Sequence, residues 1–350
     1  MMANNVILGF PTPKINNYKV YVRSITYNQA PYIVDCLNGV AMQQTDFPFV
    51  HHVIDDRSTD GEQEVIKTYL NNNCDMDNAE YYDNDICSIT IAKNKSNPNC
   101  NLVVYFLKKN MYGKPEKQEL YRPWREVCLY EALCEGDDYW IDAQKLQEQI
   151  NILDNDNNCV MVYTSFKVVD EKNNEVQIPF WNHIKKYSHS GDNFPTLMKL
   201  TYIMTLTICI RTSVFKSDLF KKCPVNIDNA LFKIAALLGK FEYIPQCTSA
   251  YRRNSNGITM SSFDTMLEKT EIGEYYLTKR YLAEYKYQYG ICTRIKNLMS
   301  IANTISRIKF SNPYLRIFDY SKYDYFIILI TPYVFLIRTF RKINYLRKKY

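Results

Sequence analysis

The sequence predicts an α/β protein built on a largely parallel sheet, and three observations lead there. Apolar strand-like runs alternate with amphipathic helical segments through the first half of the chain. Polar turns separate them, and two of these turns are acidic and follow closely on an apolar run. The composition, 46% hydrophobic and 23% charged over 350 residues, is that of a globular chain long enough to bury a full core.

The elements follow in order. Val20 to Tyr27 reads as a first strand, residues 30–44 as a helix, and Phe49 to Ile54 as a second strand ending at Asp55-Asp56. A helix from about Gly61 to Leu70 follows, with Thr59/Glu62 and Asp60/Gln63 at capping-box spacing. Residues 71–100, rich in Asn, Asp and Ser, read as an insertion or extended loop. Asn101 to Leu107 resumes as a buried strand, and residues 127–134 lead into a second acidic turn, Glu135-Gly136-Asp137-Asp138. Asp142 to Leu153 is a helix, Val160 to Phe166 and Leu206 to Ile210 are strands, Asp228 to Leu238 is a helix, and Glu242 to Tyr251 is extended. Residues 263–310 carry a helical pattern. The chain thus reads as a short lead at 1–17, a main domain at 18–260 (a first half to about 164, a second from 165) and a helical region at 261–350.

Charge and cysteine usage narrow the function classes. With 43 basic and 37 acidic residues the net charge is only +6, which does not describe a dedicated nucleic-acid binder. The eleven cysteines include no CxxC pair, so zinc-ribbon and thioredoxin-type chemistry are not indicated. Cysteines such as Cys209 sit in apolar runs and read as small buried hydrophobes. The N-terminus shows no secretory signal pattern, and a cytoplasmic location is the expectation. His51-His52 and the pair His183/His189 lack the i, i+4 spacing of helical zinc ligands.

The two acidic turns carry the chemistry. In an open parallel sheet, ligands bind beyond the carboxyl ends of the strands, so Asp55-Asp56 and Glu135 to Asp138 are expected on one edge. Crowded carboxylates repel unless a cation or a donor-rich ligand is present. Mg²⁺ commonly takes one or two carboxylates and completes its shell with substrate phosphates. Asp60 and Asp142 read as helix-capping acids instead.

Three ordered segments then resemble the signatures of glycosyltransferase family 2: Ser24-Ile25-Thr26-Tyr27-Asn28, Ile54 to Gly61, and Cys134 to Asp142. The resemblance runs from about residue 18 to 260 and implies a GT-A fold, the Rossmann-like fold of nucleotide-diphospho-sugar transferases, here with a mostly helical C-terminal extension. It implies that Thr26, Tyr27, Asn28, Asp55 and Asp56 hold the nucleoside end of a sugar-nucleotide donor. Glu135, Asp137 and Asp138 match the DxD region, with Glu in the first place; Asp137 and Asp138 are the implied ligands of a divalent metal, Mg²⁺ or Mn²⁺. Residues 226–231 resemble the segment holding the catalytic base, which assigns Asp228; a helix-capping role for Asp228 stands beside that assignment, and Asp218 is a weaker competitor. Residues 245–259 resemble the loop that closes over the donor, with Arg252 or Arg253 toward phosphate and Asn254 where a histidine is common. The QxxRW motif of processive synthases is absent, which implies single-sugar addition.

The implied activity is inverting, non-processive transfer of one sugar from a nucleotide-diphosphate sugar to a saccharide or lipid-linked saccharide, in surface polysaccharide or glycolipid synthesis. Two other readings remain: a sugar-nucleotide nucleotidyltransferase, and a scaffold that binds the donor without turnover. The first is disfavoured because residues 26–30 lack its glycine-rich phosphate loop. Finally, residues 325–337 form the most apolar run, followed by a basic tail to 350. The run is shorter than the roughly 20 residues of a spanning helix. It suits a peripheral anchor on an anionic cytoplasmic leaflet and, equally, a helix packed on the core.

Overall fold

The computed structural model describes residues 18–197 and 200–254, together with 6–7, 10–11 and the helical positions 273, 276 and 277. The helical C-terminal region, the basic tail, the loop beyond 254 and most of the lead lie outside the described residues. The chain divides into two compact units. One comprises Met1–Asn193, Tyr202–Ser217 and Leu238–Ser255; the other comprises Phe194–Thr201, Asp218–Leu237 and Asn256–Tyr350.

The first unit is organised by one ten-stranded mixed sheet. Its strands are β1 (Val20–Thr26), β2 (Phe49–Asp55), β3 (Cys74–Asp83), β4 (Cys87–Asn94), β5 (Cys100–Leu107), β6 (Tyr130–Leu133), β7 (Tyr139–Trp140), β8 (Cys159–Val169), β9 (Ile208–Arg211) and β10 (Lys240–Arg252). They lie side by side in the order β3-β4-β5-β2-β1-β6-β9-β8-β10-β7. The centre, β5-β2-β1-β6, is parallel. Its connections include α1 (Ile33–Ala41), α2 (Glu62–Asn73) and the short α3 (Arg122–Val127), while α4 (Lys145–Asn155) follows β7. This is the expected α/β architecture.

Burial explains the strand pattern. Every residue of β2 is buried, as expected of a central parallel strand covered on both faces. One face is covered by Leu37 and Val40 of α1, Ile66 of α2 and Ile150 of α4. The other is covered by Tyr121 and Trp124, packed on Tyr21, Val50 and Ile54. Trp124 stacks on Tyr21 with ring centroids 6.0 Å apart, a packing role. His51 and His52 are core residues: His51 Nε2 pairs with Ser24 Oγ at 2.8 Å and His52 Nδ1 with the Tyr21 hydroxyl at 3.0 Å.

Residues 71–100 depart from the sequence expectation of a loop. They form the antiparallel pair β3–β4, which extends the sheet beyond β5. The turn is set by Asn84, whose Oδ1 accepts the N–H groups of Ile86 (2.8 Å) and Cys87 (3.0 Å). The polar composition belongs to an edge strand: half of β3 is exposed, and its Asp and Glu side chains discourage pairing with another chain.

Candidate active site

The carboxyl ends of β1, β2 and β6 meet at one edge. Thr26 is level with Asp55 across the β1–β2 pair. The segment leaving β6 continues alongside β1, with Cys134 N–H donating to Arg23 O at 3.1 Å and Gly136 N–H to Ile25 O at 3.2 Å. Both acidic turns therefore flank the Thr26 loop.

That loop is held by a residue that capping-box spacing assigns to a helix cap. The buried Glu62 carboxylate accepts the Thr26 hydroxyl, the Gln29 N–H (2.9 Å) and the Ser58 hydroxyl (2.8 Å). Burial raises its pKa despite these donors. The helix N-terminus is instead Gly61, at φ +90°, and Asp60 Oδ1 accepts the Glu62 N–H at 3.1 Å. Asn28 takes a left-handed φ of +55° and ties the two loops: its N–H donates to Ser58 Oγ (3.0 Å) and its Oδ1 accepts the Thr59 N–H (2.7 Å). Tyr27 projects outward, 43% exposed.

Asp55 and Asp56 are adjacent but differently occupied. Asp56 is buried, with Oδ1 accepting the Met111 N–H at 2.6 Å and Oδ2 in an ion pair with Lys117 Nζ at 2.6 Å. It pins the lysine-rich connection after β5. Asp55 Oδ1 accepts the Ser58 N–H at 3.2 Å, while Oδ2 is buried without a hydrogen-bond partner. A buried orphan acceptor is costly unless a ligand donates to it.

The second turn is built around a close approach. A Cβ on Gly136 would lie 2.2 Å from Thr26 Oγ1 and 2.5 Å from Gln29 Oε1, so only glycine lets the turn pass the Thr26 loop. Glu135 Oε2 accepts the Ile25 N–H at 3.3 Å. Asp138 Oδ1 accepts the Arg252 N–H at 2.9 Å, and Asp137 Oδ2 accepts Asn254 Nδ2 at 2.9 Å. The end of β10 thus closes against this turn. The Arg252 guanidinium is itself engaged by Asp35 (2.7 Å), Asn173 Oδ1 (2.6 Å) and Asp137 O (2.8 Å), and lies 4.6 Å from the centroid of the Tyr32 ring. Its neighbour Arg253 is the exposed one.

Burial raises the carboxyl pKa values of Asp137 and Asp138, and for Asp138 the charge of Asp137 adds to the effect. Such a pair is the electrostatic situation that a divalent cation relieves. The donors fit a hard cation: two adjacent carboxylates, with the Asn254 amide oxygen buried beside them and unpartnered. Among the described residues no cluster of three or more His, Cys, Asp or Glu side chains is arranged to hold a metal. A cation here would draw its remaining ligands from phosphate, water or amide oxygens.

Asp228 is exposed and opens the helix α6 (Asp228–Leu238), in the second unit. Asp218 pairs with Lys222 at 2.8 Å. Asp142 Oδ1 accepts the Gln144 N–H at 2.8 Å, a turn-capping contact just before α4. All the described cysteines are free thiols, and most are buried. Among the described residues no helix is long and apolar enough to cross a membrane.

Comparison with known proteins shows what the chain is similar to. Residues 22–96 match the family model described as Glycosyl transferase family 2, a span that takes in the Thr26 loop and the Asp55-Asp56 turn. Uncharacterized proteins of Mycobacterium tuberculosis (Rv1520) and Mycobacterium bovis (Mb1547) are each 27% identical over 246 residues, 69% of this chain and 60% of theirs. The chain thus spans less than two thirds of these relatives. S. aureus TarS 1-349 aligns over 83% of this chain and 82% of its own, at 17% identity and a TM-score of 0.47; its complex with UDP gives 0.48. A mannosyltransferase from Pyrobaculum calidifontis, PcManGT, solved with GDP-Man and Mn²⁺, aligns over 92% of this chain and 87% of its own at 13% identity and a TM-score of 0.47. The resemblance to glycosyltransferase family 2 is borne out by the match of residues 22–96 to that family's model.

Proposed function

We propose that the protein is an inverting, non-processive glycosyltransferase that moves one sugar from a nucleotide-diphosphate sugar to a hydroxyl of a saccharide or lipid-linked saccharide, in surface polysaccharide or glycolipid synthesis. One observation carries the reading. Within the family fold, an orphaned carboxylate oxygen on Asp55 and an uncompensated carboxylate pair at Asp137-Asp138 flank the same loop at the carboxyl edge of the sheet. Asp55, with Thr26, Tyr27 and Asn28, would receive the nucleoside. Asp137 and Asp138 would hold Mg²⁺ or Mn²⁺, which supplies positive charge against the departing diphosphate. Glu135 would support the turn. By sequence resemblance, Asp228 is the base that takes the proton of the acceptor hydroxyl. Arg252 would act through the turn it clamps, leaving Arg253 as the exposed cation for phosphate. Residues 325–350 would place the enzyme on the cytoplasmic face of a membrane.

A thermal-shift titration with UDP and GDP, each with and without Mn²⁺, tests this reading on wild type and Asp137→Ala. A ligand that binds only the folded state raises the melting temperature. Stabilisation by one nucleotide that requires Mn²⁺ and disappears in the variant is the expected result. No shift with either nucleotide, on folded protein, would reject the UDP/GDP-donor reading.

A further inference from the structure

Beside the acidic turn lies a group of aromatic rings, three of them partly exposed, that the donor site does not use. Residues Pro179–Lys185 form a short helix, α5, and its second and third residues are Phe180 and Trp181. Trp181 is the centre of the group. Its ring centroid lies 5.1 Å from Phe180, 5.9 Å from Phe166 of β8 and 5.2 Å from Tyr251 of β10. Phe180 is 53% exposed, and Trp181 and Tyr251 are only partly buried. The chain's other two tryptophans, Trp124 and Trp140, are each 1% exposed.

Continuity with the acidic turn sets this patch apart from a stray apolar surface. Tyr251 immediately precedes Arg252, whose N–H is held by Asp138 Oδ1 at 2.9 Å. The Tyr251 phenol is pushed up to about 12 by burial and then by the charges of Asp138 and Asp137, which places it within their field. The rim is polar: Asn182 Nδ2 donates to Gln177 Oε1 at 3.0 Å, and Lys185 Nζ lies 4.7 Å from the centroid of the Phe166 ring.

We propose that Trp181, with Phe180 and Tyr251, is the acceptor platform of this enzyme and that its ligand is a pyranose ring. The proposal rests on the glycosyltransferase reading above and names the substrate class on its acceptor side. One face of a pyranose is a set of C–H bonds with partial positive charge, which suits the negative face of an aromatic ring. The equatorial hydroxyls then remain free for the amides and the ammonium of the rim. An acyl chain would use the rings and gain nothing from that rim. Small-molecule sites commonly combine an aromatic floor with a few placed polar groups in this way.

The test uses the full-length protein and its own fluorescence, because Trp181 is the one tryptophan that is not fully buried. Emission is titrated with methyl pyranosides (glucoside, galactoside, mannoside, N-acetylglucosaminide) and separately with decanoate as an acyl probe. UDP and GDP binding with Mn²⁺ is measured in parallel. A saturable emission change with at least one pyranoside, reduced about tenfold in affinity in Phe180→Ala, is the expected result; because Trp181→Ala removes the reporter, its pyranoside binding is read by calorimetry and is expected to be lost. Trp124 and Trp140 keep reporting on the fold of Trp181→Ala, and nucleotide binding by that variant is expected to stay within about twofold of wild type. No response to any pyranoside while a nucleotide still binds would overturn the platform and leave the donor reading standing. A response to decanoate alone would assign the patch to an acyl chain and equally overturn it. If no nucleotide binds, the donor reading fails, and the pyranoside titration still decides the platform.

Discussion

The two acidic turns look alike in sequence and are opposite in electrostatic state. At the first, Asp56 is partnered on both oxygens, by the Met111 N–H and by the Lys117 ammonium that neutralises its charge, and only Asp55 Oδ2 is left over. At the second, the hydrogen-bond donors to Asp137 and Asp138 are uncharged amides, among them Asn254 Nδ2 and the Arg252 N–H. Arg252 brings the nearest guanidinium, but turns it to Asp35, Asn173 and the Asp137 carbonyl oxygen rather than to a turn carboxylate. A buried carboxylate is stabilising when its partners are complete and costly when they are not. The first turn is therefore mainly a brace with one free acceptor. The second stores repulsion that a ligand's charge can discharge.

The largest effect that would break this comparison is on transfer itself. Asp137→Asn keeps the shape of the turn and removes one of its uncompensated charges. Sugar transfer from the donor identified by thermal shift should fall by about 10²- to 10³-fold, the scale seen when one electrostatic stabiliser is removed. The melting temperature without ligand should hold or rise, since a buried like-charge neighbour is gone. Transfer within about tenfold of wild type would show that the second turn is not the charged half of the site.

Asp56→Ala probes the other side. It strands the Lys117 ammonium, whose side chain is 11% exposed, and leaves the Met111 N–H without its acceptor. Breaking a buried pair on one side costs about 3 kcal/mol. In a domain of this size that is a fall of about 6–12 °C in melting temperature, read by calorimetry. Nucleotide affinity measured on the remaining folded protein should change less than the stability does. A variant of unchanged stability that has lost nucleotide binding would make Asp56 a donor ligand and erase the contrast.

How far the site was legible follows from the same contrast. The central strands announced themselves because β1, β2 and β5 are buried apolar runs, and their order placed both acidic turns at one edge. The β3–β4 hairpin did not, because the edge strand β3, rich in Asp, Asn and Glu, lacks strand propensity and forms through pairing with β4, which in turn pairs with β5. Glu62 satisfied a local spacing rule, so it read as a cap; its partners Thr26 and Gln29 are distant in sequence and no local pattern announces them. Gly136 was conspicuous between acids, but only the packed Thr26 and Gln29 side chains show why a Cβ is excluded. Which carboxylates have complete partners is a tertiary property, and the identical Asp-Asp dipeptides conceal it.

The smallest effect concerns the support behind the second turn. Lys145 is fully buried at the start of α4, its ammonium donating to Gln149 Oε1 at 2.7 Å and lying 4.2 Å from the centroid of the Trp140 ring. Trp140 follows the turn directly, so the incomplete neutralisation there extends one layer inward to a lysine without a carboxylate partner. Burial pulls its pKa from 10.5 down to about 8. The unfolded chain then binds more protons than the folded one between about pH 8 and 10.5, so the lysine's contribution to stability rises with pH across that window. Its penalty is fully present below about pH 8. Lys145→Met, which keeps the stem and removes the charge, should be the more stable protein near neutral pH. Its advantage over wild type should shrink by about 1 kcal/mol between roughly pH 7.5 and 9 in urea titrations. A stability difference that stays flat over that range would show Lys145 to be compensated in both states, and would confine the imbalance to the turn itself.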